Sequence, residues 1–366
     1  MKWKEQLLSL TPYQPGKSIE EVKKQYGLAE ITKLASNENP FGCSQAASDA
    51  MQKDLSYYAL YPDGYAKELR DTLSSFLKVK PSQLIFGNGS DEIILMIARA
   101  LLSPGTNTIT SAPTFPQYKH NAIVEGAEIR EAPLKNGGFD LDKMLELIDE
   151  NTSVVWICTP NNPTGVYIPE KDLIAFIEKV SEDVLVVIDE AYCEYTTAED
   201  YHDSVKLVER FPNVIALRTF SKIYGLASLR IGYGIANEKI IRGLEPVREP
   251  FNANRFAQAA AIAAVGDQSF IENCKEANRK GLEQFYTFCK NRNLKYYPSQ
   301  ANFILIDFAA DADEVFQYLL EKGYIVRSGK ALGFPKAVRV TIGSEQQNAG
   351  VISAMEQYLK VQNARN

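Results

Sequence analysis

One lysine, Lys222, lies in a stretch of small and apolar residues that runs from Thr219 to Arg230. A lysine amine is a nucleophile only when neutral, and burial near other cations favours that form near neutral pH. The usual chemistry of such a lysine is a Schiff base with a carbonyl carbon. A solvated surface loop fits the same residues, because lysine is rarely buried. The stretch alone therefore does not distinguish a Schiff-base site from a surface loop, and the distinction depends on other residues of the chain.

Two loops offer candidate partners. Ser90 and Asp91 follow Gly87-Asn88-Gly89, where glycines permit a close backbone approach and a helix N-terminus offers free N–H groups to a phosphate. A glycine turn with a capping residue is the alternative. Asn161 and Asn162 lie between two prolines, in a rigid loop that can aim a side-chain amide or serve only as a turn.

A carboxylate ends a third apolar run. Asp189 follows Val184–Ile188, and Tyr192 comes three positions later. Burying a carboxylate is costly without a partner, and a protonated pyridine nitrogen would be such a partner. A helix N-cap is the alternative for Asp189. Arg230 matches phosphate geometry through two parallel hydrogen bonds, with a salt bridge to an acid as its alternative.

The elements that position these residues follow from the hydrophobic pattern. Continuous apolar runs separated by helical patterns indicate strands buried on both faces, and hence an α/β fold with a largely parallel sheet. Ligands bind beyond the carboxyl ends of such strands, where the polar motifs lie. The predicted strands are Leu84–Phe86, Thr108–Thr110, Val154–Cys158, Val184–Ile188 and Val214–Leu217.

The two ends of the chain have different patterns. The first forty residues are rich in turn-forming residues and are predicted to be loop-like, whereas Ile93–Leu102 is predicted to be a buried helix. A long polar helix over about Phe270–Asn291 precedes further short strands. This part is predicted to form a smaller α+β domain, joined by the N-terminal segment.

Composition excludes several classes of protein. The 366 residues are 45% hydrophobic and 23% charged, with a formal net charge of −6. This charge disfavours a general nucleic-acid or anionic-membrane binder. No apolar stretch reaches the ~20 residues that span a bilayer, and the first residues lack the apolar core of a signal peptide, so we expect a cytoplasmic protein. Five cysteines without CxxC spacing and two histidines predict reduced thiols and no metal site.

Together the motifs resemble the fold-type I aminotransferases that depend on pyridoxal 5′-phosphate (PLP), class II, and within them the histidinol-phosphate aminotransferase family. The resemblance covers nearly the whole chain. It rests on Leu10-Thr11-Pro12-Tyr13, Asn37-Glu38-Asn39-Pro40, Tyr61-Pro62-Asp63-Gly64, Asn161-Asn162-Pro163-Thr164-Gly165, Asp189-Glu190-Ala191-Tyr192, Ser221-Lys222 and Val338-Arg339-Val340-Thr341-Ile342-Gly343.

The resemblance implies an architecture. A large PLP-binding domain over residues 41–269 would carry a mostly parallel seven-stranded sheet sandwiched by helices. Residues 1–40 and 270–366 would form the small α+β domain with an N-terminal arm. The family also implies a homodimer, with no nucleic-acid or membrane partner.

The resemblance further implies roles at the cofactor. Lys222 would be the Schiff-base lysine and proton carrier, Asp189 the partner of the pyridine nitrogen, and Tyr192 with Asn162 the donors to the ring hydroxyl. Phe115 falls where relatives often place a tyrosine stacked on the ring. The implied phosphate site consists of Ser90, Asp91, Ser221 and Arg230, with Tyr61 from the second subunit.

Substrate contacts are implied in the same way. Arg339 resembles the clamp for a substrate carboxylate, and Tyr13 and Arg327 resemble contacts to a distal phosphate or side chain. Asn39 belongs to the same substrate-binding set.

The implied activity is transamination between L-histidinol phosphate and 2-oxoglutarate, giving imidazole-acetol phosphate and L-glutamate in histidine biosynthesis. An aromatic amino-acid aminotransferase or a dual-substrate enzyme is the nearest alternative. A PLP-dependent decarboxylase of a phosphorylated amino acid and a non-catalytic ligand-binding relative also remain open.

Overall fold

A computed structural model describes residues 1–11 and 16–365 of the chain, without the side chains of Ser9, Asn363 and Arg365. Its strands are β1 (Thr32–Lys33), β2 (Leu84–Gly87), β3 (Asn107–Ala112), β4 (Glu128–Lys135), β5 (Gly138–Phe139), β6 (Thr152–Cys158), β7 (Leu185–Asp189), β8 (Val214–Thr219), β9 (Gly232–Ala236), β10 (Lys295–Tyr296), β11 (Phe303–Asp307), β12 (Tyr324–Ile325), β13 (Arg327–Ser328) and β14 (Ala337–Thr341).

The α-helices connect and cover these strands. They are α1 (Ile19–Tyr26), α2 (Gln45–Lys53), α3 (Lys67–Leu77), α4 (Ser90–Leu101), α5 (Gln117–Glu125), α6 (Leu141–Glu146), α7 (Glu170–Ile177), α8 (Ser204–Arg210), α9 (Glu238–Leu244), α10 (Arg255–Gly266), α11 (Gln268–Arg292), α12 (Ala312–Glu321) and α13 (Glu345–Arg365). Among the described residues, no helix is long and apolar enough to cross a membrane.

The large sheet has the strand order β2-β9-β8-β7-β6-β3-β4-β5. Its centre is parallel, since β8, β7, β6, β3 and β4 pair in that sense. Strand β9 is antiparallel to both neighbours. The α/β fold with a mostly parallel sheet is therefore confirmed. The expected seven strands gain a two-residue eighth, β5, because a tight turn folds the chain back onto the end of β4.

The central strands form because they are short runs of β-branched residues without the length of a helix. Every residue of β7 is buried, as are nearly all residues of β6 and β8. Burial on both faces is the pattern of a parallel sheet covered by helices. The large core includes the stacked rings of Tyr118 and Trp156.

A second core lies in the C-terminal part of the chain. There β10, β11, β14 and β13 form an antiparallel sheet, and its apolar side chains pack against α11, α12 and α13. Helix α11 contributes to both cores, with Ile271 and Cys274 in the large one and Phe285 in the second. The division into residues 41–269 and 1–40 with 270–366 stays a prediction.

The N-terminal segment is more ordered than the loop-like prediction. Helix α1 begins after Ser18, whose hydroxyl accepts a hydrogen bond from the Glu21 N–H at 3.1 Å. It ends at Gly27 in the left-handed conformation, and Val22 is fully buried. These are ordinary helix start and stop signals. The loop prediction gave more weight to the many prolines and glycines nearby. The prediction for this segment was wrong at α1.

Candidate active site

The carboxyl ends of the large sheet open into a pocket of about 400 Å³, a volume typical of small-molecule sites. The topology brings these ends to one edge, and Gly232 at the start of the antiparallel strand β9 pairs there with Gly87. Eleven predicted site residues line the pocket: Ser90, Asp91, Phe115, Asn162, Asp189, Tyr192, Ser221, Lys222, Arg230, Arg327 and Arg339.

One wall of the pocket is suited to an anion. Helix α4 begins at Ser90 without a side-chain cap, so its first N–H groups are available to a ligand. The Arg230 guanidinium donates to Ser221 Oγ at 3.2 Å and pairs with Asp91 at 3.3 Å. Gly89 has φ +77°, and a Cβ there would lie 2.5 Å from Arg230 Nη2. A glycine is therefore required for the arginine to reach the helix end.

Lys222 is half-buried in the same pocket and donates to the Ser36 carbonyl oxygen at 3.4 Å. Its ammonium lies 5.7 Å from the centre of the Tyr192 ring. Burial lowers the pKa of Lys222 to about 8, and the positive charge of Arg339 acts in the same direction. A usable fraction of this amine is thus neutral near physiological pH, as a nucleophile or proton carrier requires.

Asp189 ends β7 and is 3% exposed. Burial raises the pKa of its carboxyl group to about 6, against the opposing effect of a hydrogen bond from the Tyr118 hydroxyl. That bond measures 2.6 Å to Oδ2, and the Ala191 N–H donates to Oδ1 at 3.2 Å. The site therefore holds a buried acid for which a cationic ligand atom would be a favourable partner.

Tyr192 is buried beside Asp189, and its hydroxyl oxygen accepts a hydrogen bond from Asn37 Nδ2 at 3.0 Å. Burial raises the pKa of this phenol, so Tyr192 is a neutral donor at any physiological pH. Asn37 has φ +57° and is anchored at its own N–H by Thr341 Oγ1, 2.9 Å away. The donor hydrogen of Tyr192 can then point to a ligand.

The two adjacent asparagines, Asn161 and Asn162, have different contacts. Asn161 is buried, accepting from Thr114 and donating to Thr164, which holds the loop. Asn162 lines the pocket, and its Oδ1 accepts a hydrogen bond from Arg339 at 2.6 Å. The amide nitrogen of Asn162 is then the atom left to meet a ligand.

Two arginines lie side by side on adjacent strands of the second sheet. Arg327 on β13 pairs directly with Arg339 on β14, and both line the pocket. Arg339 is 6% exposed, donates to the Ala35 carbonyl oxygen at 2.6 Å and lies over the Phe303 ring. A fixed, buried guanidinium of this kind suits carboxylate or phosphate recognition.

Three predicted residues are not on the described pocket wall. The Asn39 amide turns away and donates to the Ile223 carbonyl oxygen at 2.6 Å, which ties its loop to the lysine segment. Tyr61 is 79% exposed and stacks on Phe251 at 4.7 Å between ring centres. Tyr13 lies outside the described residues, although Gly16 near it lines the pocket.

The sequence interpretation overlooked two polar residues of the site. Asn37 belongs to a motif in which only Asn39 was assigned, and the sequence carries no signal for which of the two amides faces inward. Tyr118 follows Phe115 by three positions, and its ring meets the Phe115 ring edge to face at 5.6 Å. That spacing is a weak hint, because a tyrosine at a helix start usually indicates packing alone.

Taken together, the pocket offers an anion cradle, a buried acid, two neutral donors and a lysine with a lowered pKa. These groups match a ligand that carries a phosphate, a basic ring nitrogen, a ring hydroxyl and an electrophilic carbon. The arginine pair matches a second, anionic ligand.

The chain is similar to known proteins over nearly its whole length. The model of the family described as "Aminotransferase class I and II" matches residues 29–355. A histidinol-phosphate aminotransferase of Geobacillus sp. (strain WCH70) is 61% identical over 98% of this chain and 99% of that protein. The histidinol-phosphate aminotransferase of Bacillus subtilis (strain 168) is 60% identical over 98% of this chain and all of that protein.

A solved structure shows the same fold. The histidinol-phosphate aminotransferase from Sinorhizobium meliloti, in complex with pyridoxal-5′-phosphate, aligns with a TM-score of 0.90 and 25% identity over 99% of this chain and 98% of that one. The expected fold type is therefore confirmed. Since the family model spans most of the chain, this protein belongs to the class I and II aminotransferases.

Proposed function

We propose that this protein transfers the amino group of L-histidinol phosphate to 2-oxoglutarate, forming imidazole-acetol phosphate and L-glutamate. The observation that carries the proposal is the full-length identity of about 60% to histidinol-phosphate aminotransferases. The paired arginines of the pocket support it, because both substrates of this reaction are anionic.

PLP is the proposed cofactor, and the residues of the pocket fit it. When bound, PLP supplies an aldehyde carbon that condenses with amines and a ring that takes up the electrons released when a proton leaves the substrate. We assign its phosphate to Ser90, Asp91, Ser221 and Arg230, and its ring face to Phe115. The absence of a hydroxyl on Phe115 should spare stacking, but it removes any role that a tyrosine oxygen has at this position.

Lys222, Asp189 and Tyr192 are the proposed catalytic residues. Lys222 Nζ, partly neutral because of its lowered pKa, takes the proton from the amine-bearing carbon of the substrate and would deliver it to the aldehyde carbon of the cofactor. Asp189 keeps a positive charge on the ring nitrogen. Tyr192, together with the amide nitrogen of Asn162, donates hydrogen bonds to the ring hydroxyl.

Substrate recognition is assigned to Arg339 and Arg327. Histidinol phosphate carries a phosphate and no carboxylate, whereas glutamate carries two carboxylates, so one site has to accept both kinds of anion. Guanidinium groups bind carboxylate and phosphate in similar bidentate geometry. Tyr13 stays a predicted contact. Asn39 stays a predicted substrate residue, and its bond to Ile223 supports an indirect role.

The deciding experiment compares amino donors with 2-oxoglutarate as the common acceptor. We expect kcat/KM for histidinol phosphate to exceed those for phenylalanine and tyrosine. Faster turnover of the aromatic amino acids would replace the proposal by an aromatic aminotransferase. Release of carbon dioxide would indicate a decarboxylase, and a purified protein without bound PLP would favour a non-catalytic relative.

We further propose a homodimer in which Tyr61 reaches the partner's pocket. Exposed apolar side chains cluster around Tyr61 between residues 55 and 65, namely Leu55, Tyr57, Tyr58, Leu60 and Tyr65. A concentration of exposed apolar side chains of this kind is typical of a protein interface. A second copy of the chain related by two-fold symmetry would cover it and bring in Tyr61.

Mixed dimers test this assignment directly. Lys222→Ala and Tyr61→Ala chains are each expected to be poorly active. When they are unfolded and refolded together, half of the dimers are mixed, and about a quarter of the wild-type activity returns if Tyr61 acts across the interface. If Tyr61 acts within its own subunit, no mixed dimer has an intact site and activity stays at the level of the single variants.

A further inference from the structure

Asp189 has a buried hydrogen-bond partner that the assignments above do not use. Tyr118 on α5 is fully buried, and its hydroxyl donates to Asp189 Oδ2 at 2.6 Å. This distance is typical of a charge-assisted O–H···O⁻ bond, which is stronger than a bond between neutral groups. The contact joins two residues that are 71 positions apart in the chain.

The Tyr118 ring is held on two sides. It stacks on Trp156 at 5.1 Å with an interplanar angle of 11°, and it meets Phe115 edge to face at 5.6 Å. With the ring fixed by these contacts, the hydroxyl has a defined position. The Ala191 N–H holds the other carboxylate oxygen of Asp189, so the carboxylate has a defined plane.

We propose that Tyr118 is a positioning residue of the cofactor site, whose hydroxyl orients the Asp189 carboxylate and favours its ionised form. The pocket then meets a protonated pyridine nitrogen with an oriented negative charge. This inference rests on the proposed PLP site, and it extends that proposal to a residue outside the pocket wall.

The surroundings of Asp189 disfavour its ionised form, and the Tyr118 hydrogen bond opposes this effect. Burial raises the pKa of Asp189, and the negative charges of Asp91 and Glu190 act in the same direction. The Tyr118 hydrogen bond is the strongest of the effects that lower it. Tyr118 itself has a pKa raised well above 10 by burial, so it stays protonated and remains a donor.

Cys158 and Tyr192 also face Asp189. Burial raises the pKa of Cys158 to about 12, and the pKa of Tyr192 is raised as well. Both groups are therefore neutral at physiological pH and add no charge that could replace the effect of Tyr118.

Tyr118→Phe is the test variant, because it deletes one oxygen and keeps the ring stack. Tyr286→Phe is the matched control. Tyr286 also donates from its hydroxyl to a partly buried oxygen, the Ser299 carbonyl at 3.2 Å, but it lies among the residues that pack on the second core. Tyr118 substituted with a ring-fluorinated tyrosine, a stronger donor, provides a second variant that retains the hydroxyl.

The first readout is the pKa of Asp189 in cofactor-free protein, measured from its carboxyl signal by infrared or carbon NMR spectroscopy and assigned with Asp189→Asn. Loss of a hydrogen bond to a charged group predicts an increase of about one to two pKa units in Tyr118→Phe. Tyr286→Phe leaves the value unchanged, and the fluorinated variant lowers it.

The second readout is equilibrium binding of PLP and of a PLP analogue with carbon in place of the ring nitrogen. We expect Tyr118→Phe to weaken PLP about tenfold or more and to leave the analogue unaffected, since the analogue has no nitrogen for Asp189 to bind. Introduced into Asp189→Asn, Tyr118→Phe should have little further effect on PLP binding.

Equal weakening of both ligands, or an unchanged Asp189 pKa, would overturn the inference and leave Tyr118 a packing residue. Neither readout uses an amino donor. If the expected binding changes appear but histidinol phosphate is not transaminated, the proposed substrate fails and the role of Tyr118 stands. If PLP does not bind wild-type protein, the proposed function fails as well.

Discussion

Replacing Asp189 by asparagine is expected to stabilise the cofactor-free protein while impairing cofactor binding. Asparagine has nearly the shape of a protonated aspartate, and its single amide oxygen can still accept a hydrogen bond from Tyr118, while the Ala191 N–H loses its acceptor. The substitution thus removes the negative charge together with one backbone hydrogen bond, and the second loss does not change with pH. Because the acid is buried and without a cationic ligand, its charge destabilises the folded state.

The size of this effect follows from the pKa. Burial raises the pKa of Asp189 from 3.8 to about 6, which corresponds to roughly 3 kcal/mol. The folded protein binds this proton more tightly than the unfolded chain, so the contribution of Asp189 to stability falls between about pH 4 and pH 6 and then stays low. The stability of Asp189→Asn relative to wild type is therefore expected to rise by roughly 3 kcal/mol between about pH 4 and pH 7.

Urea unfolding of cofactor-free protein from pH 4 to pH 8 measures this difference. Asp149→Asn is a control of opposite sign, because Arg130 at 2.7 Å lowers the pKa of Asp149 to about 2. That substitution is expected to destabilise the protein at neutral pH, with the loss shrinking as the pH falls towards 2. An Asp189→Asn protein that is less stable than wild type at pH 8, or a difference that does not change with pH, would refute the reasoning.

The remaining predictions concern the lysine, the substrate and the phosphate cradle. Lys222→Ala should abolish turnover and the visible absorbance of lysine-bound PLP, and an unchanged spectrum would contradict its assignment. Arg339→Ala should reduce kcat/KM for glutamate far more than PLP affinity; equal losses would count against a substrate clamp. Gly89→Ala should weaken PLP binding, since a Cβ there meets Arg230 at 2.5 Å. Gly243→Ala, in helix α9 with nothing within 4 Å, should leave PLP affinity unchanged.

The sequence predicted the sheet edge well because the signal there is local. Runs such as Val154–Cys158 and Val184–Ile188 are too short and too rich in β-branched residues for helices, and each ends at a polar group. Parallel strands bring such ends together without any knowledge of side-chain contacts. The sequence alone thus places Lys222 and Asp189 in one site.

Contacts between distant segments could not be predicted from such local patterns in the sequence. Asn37 reaches Tyr192 across 155 positions of the chain, and Tyr118 reaches Asp189 across 71. No periodicity encodes such pairs, because they depend on how helices and loops pack on the sheet. The same holds for Asn39, whose side chain faces the Ile223 carbonyl rather than the pocket.

Lys222 and Asp189 line the same pocket, and burial affects the ionisation of both. Burial lowers the pKa of Lys222 and raises that of Asp189, so each group tends towards its neutral form. The two groups have different hydrogen-bond partners, since Lys222 donates to the Ser36 carbonyl oxygen and Asp189 accepts from the Tyr118 hydroxyl. A ligand with an electrophilic carbon and a basic nitrogen would satisfy both groups at once. The burial of these two groups therefore favours such a ligand over its isosteres, because an isostere that lacks either atom leaves Lys222 or Asp189 buried without a ligand partner.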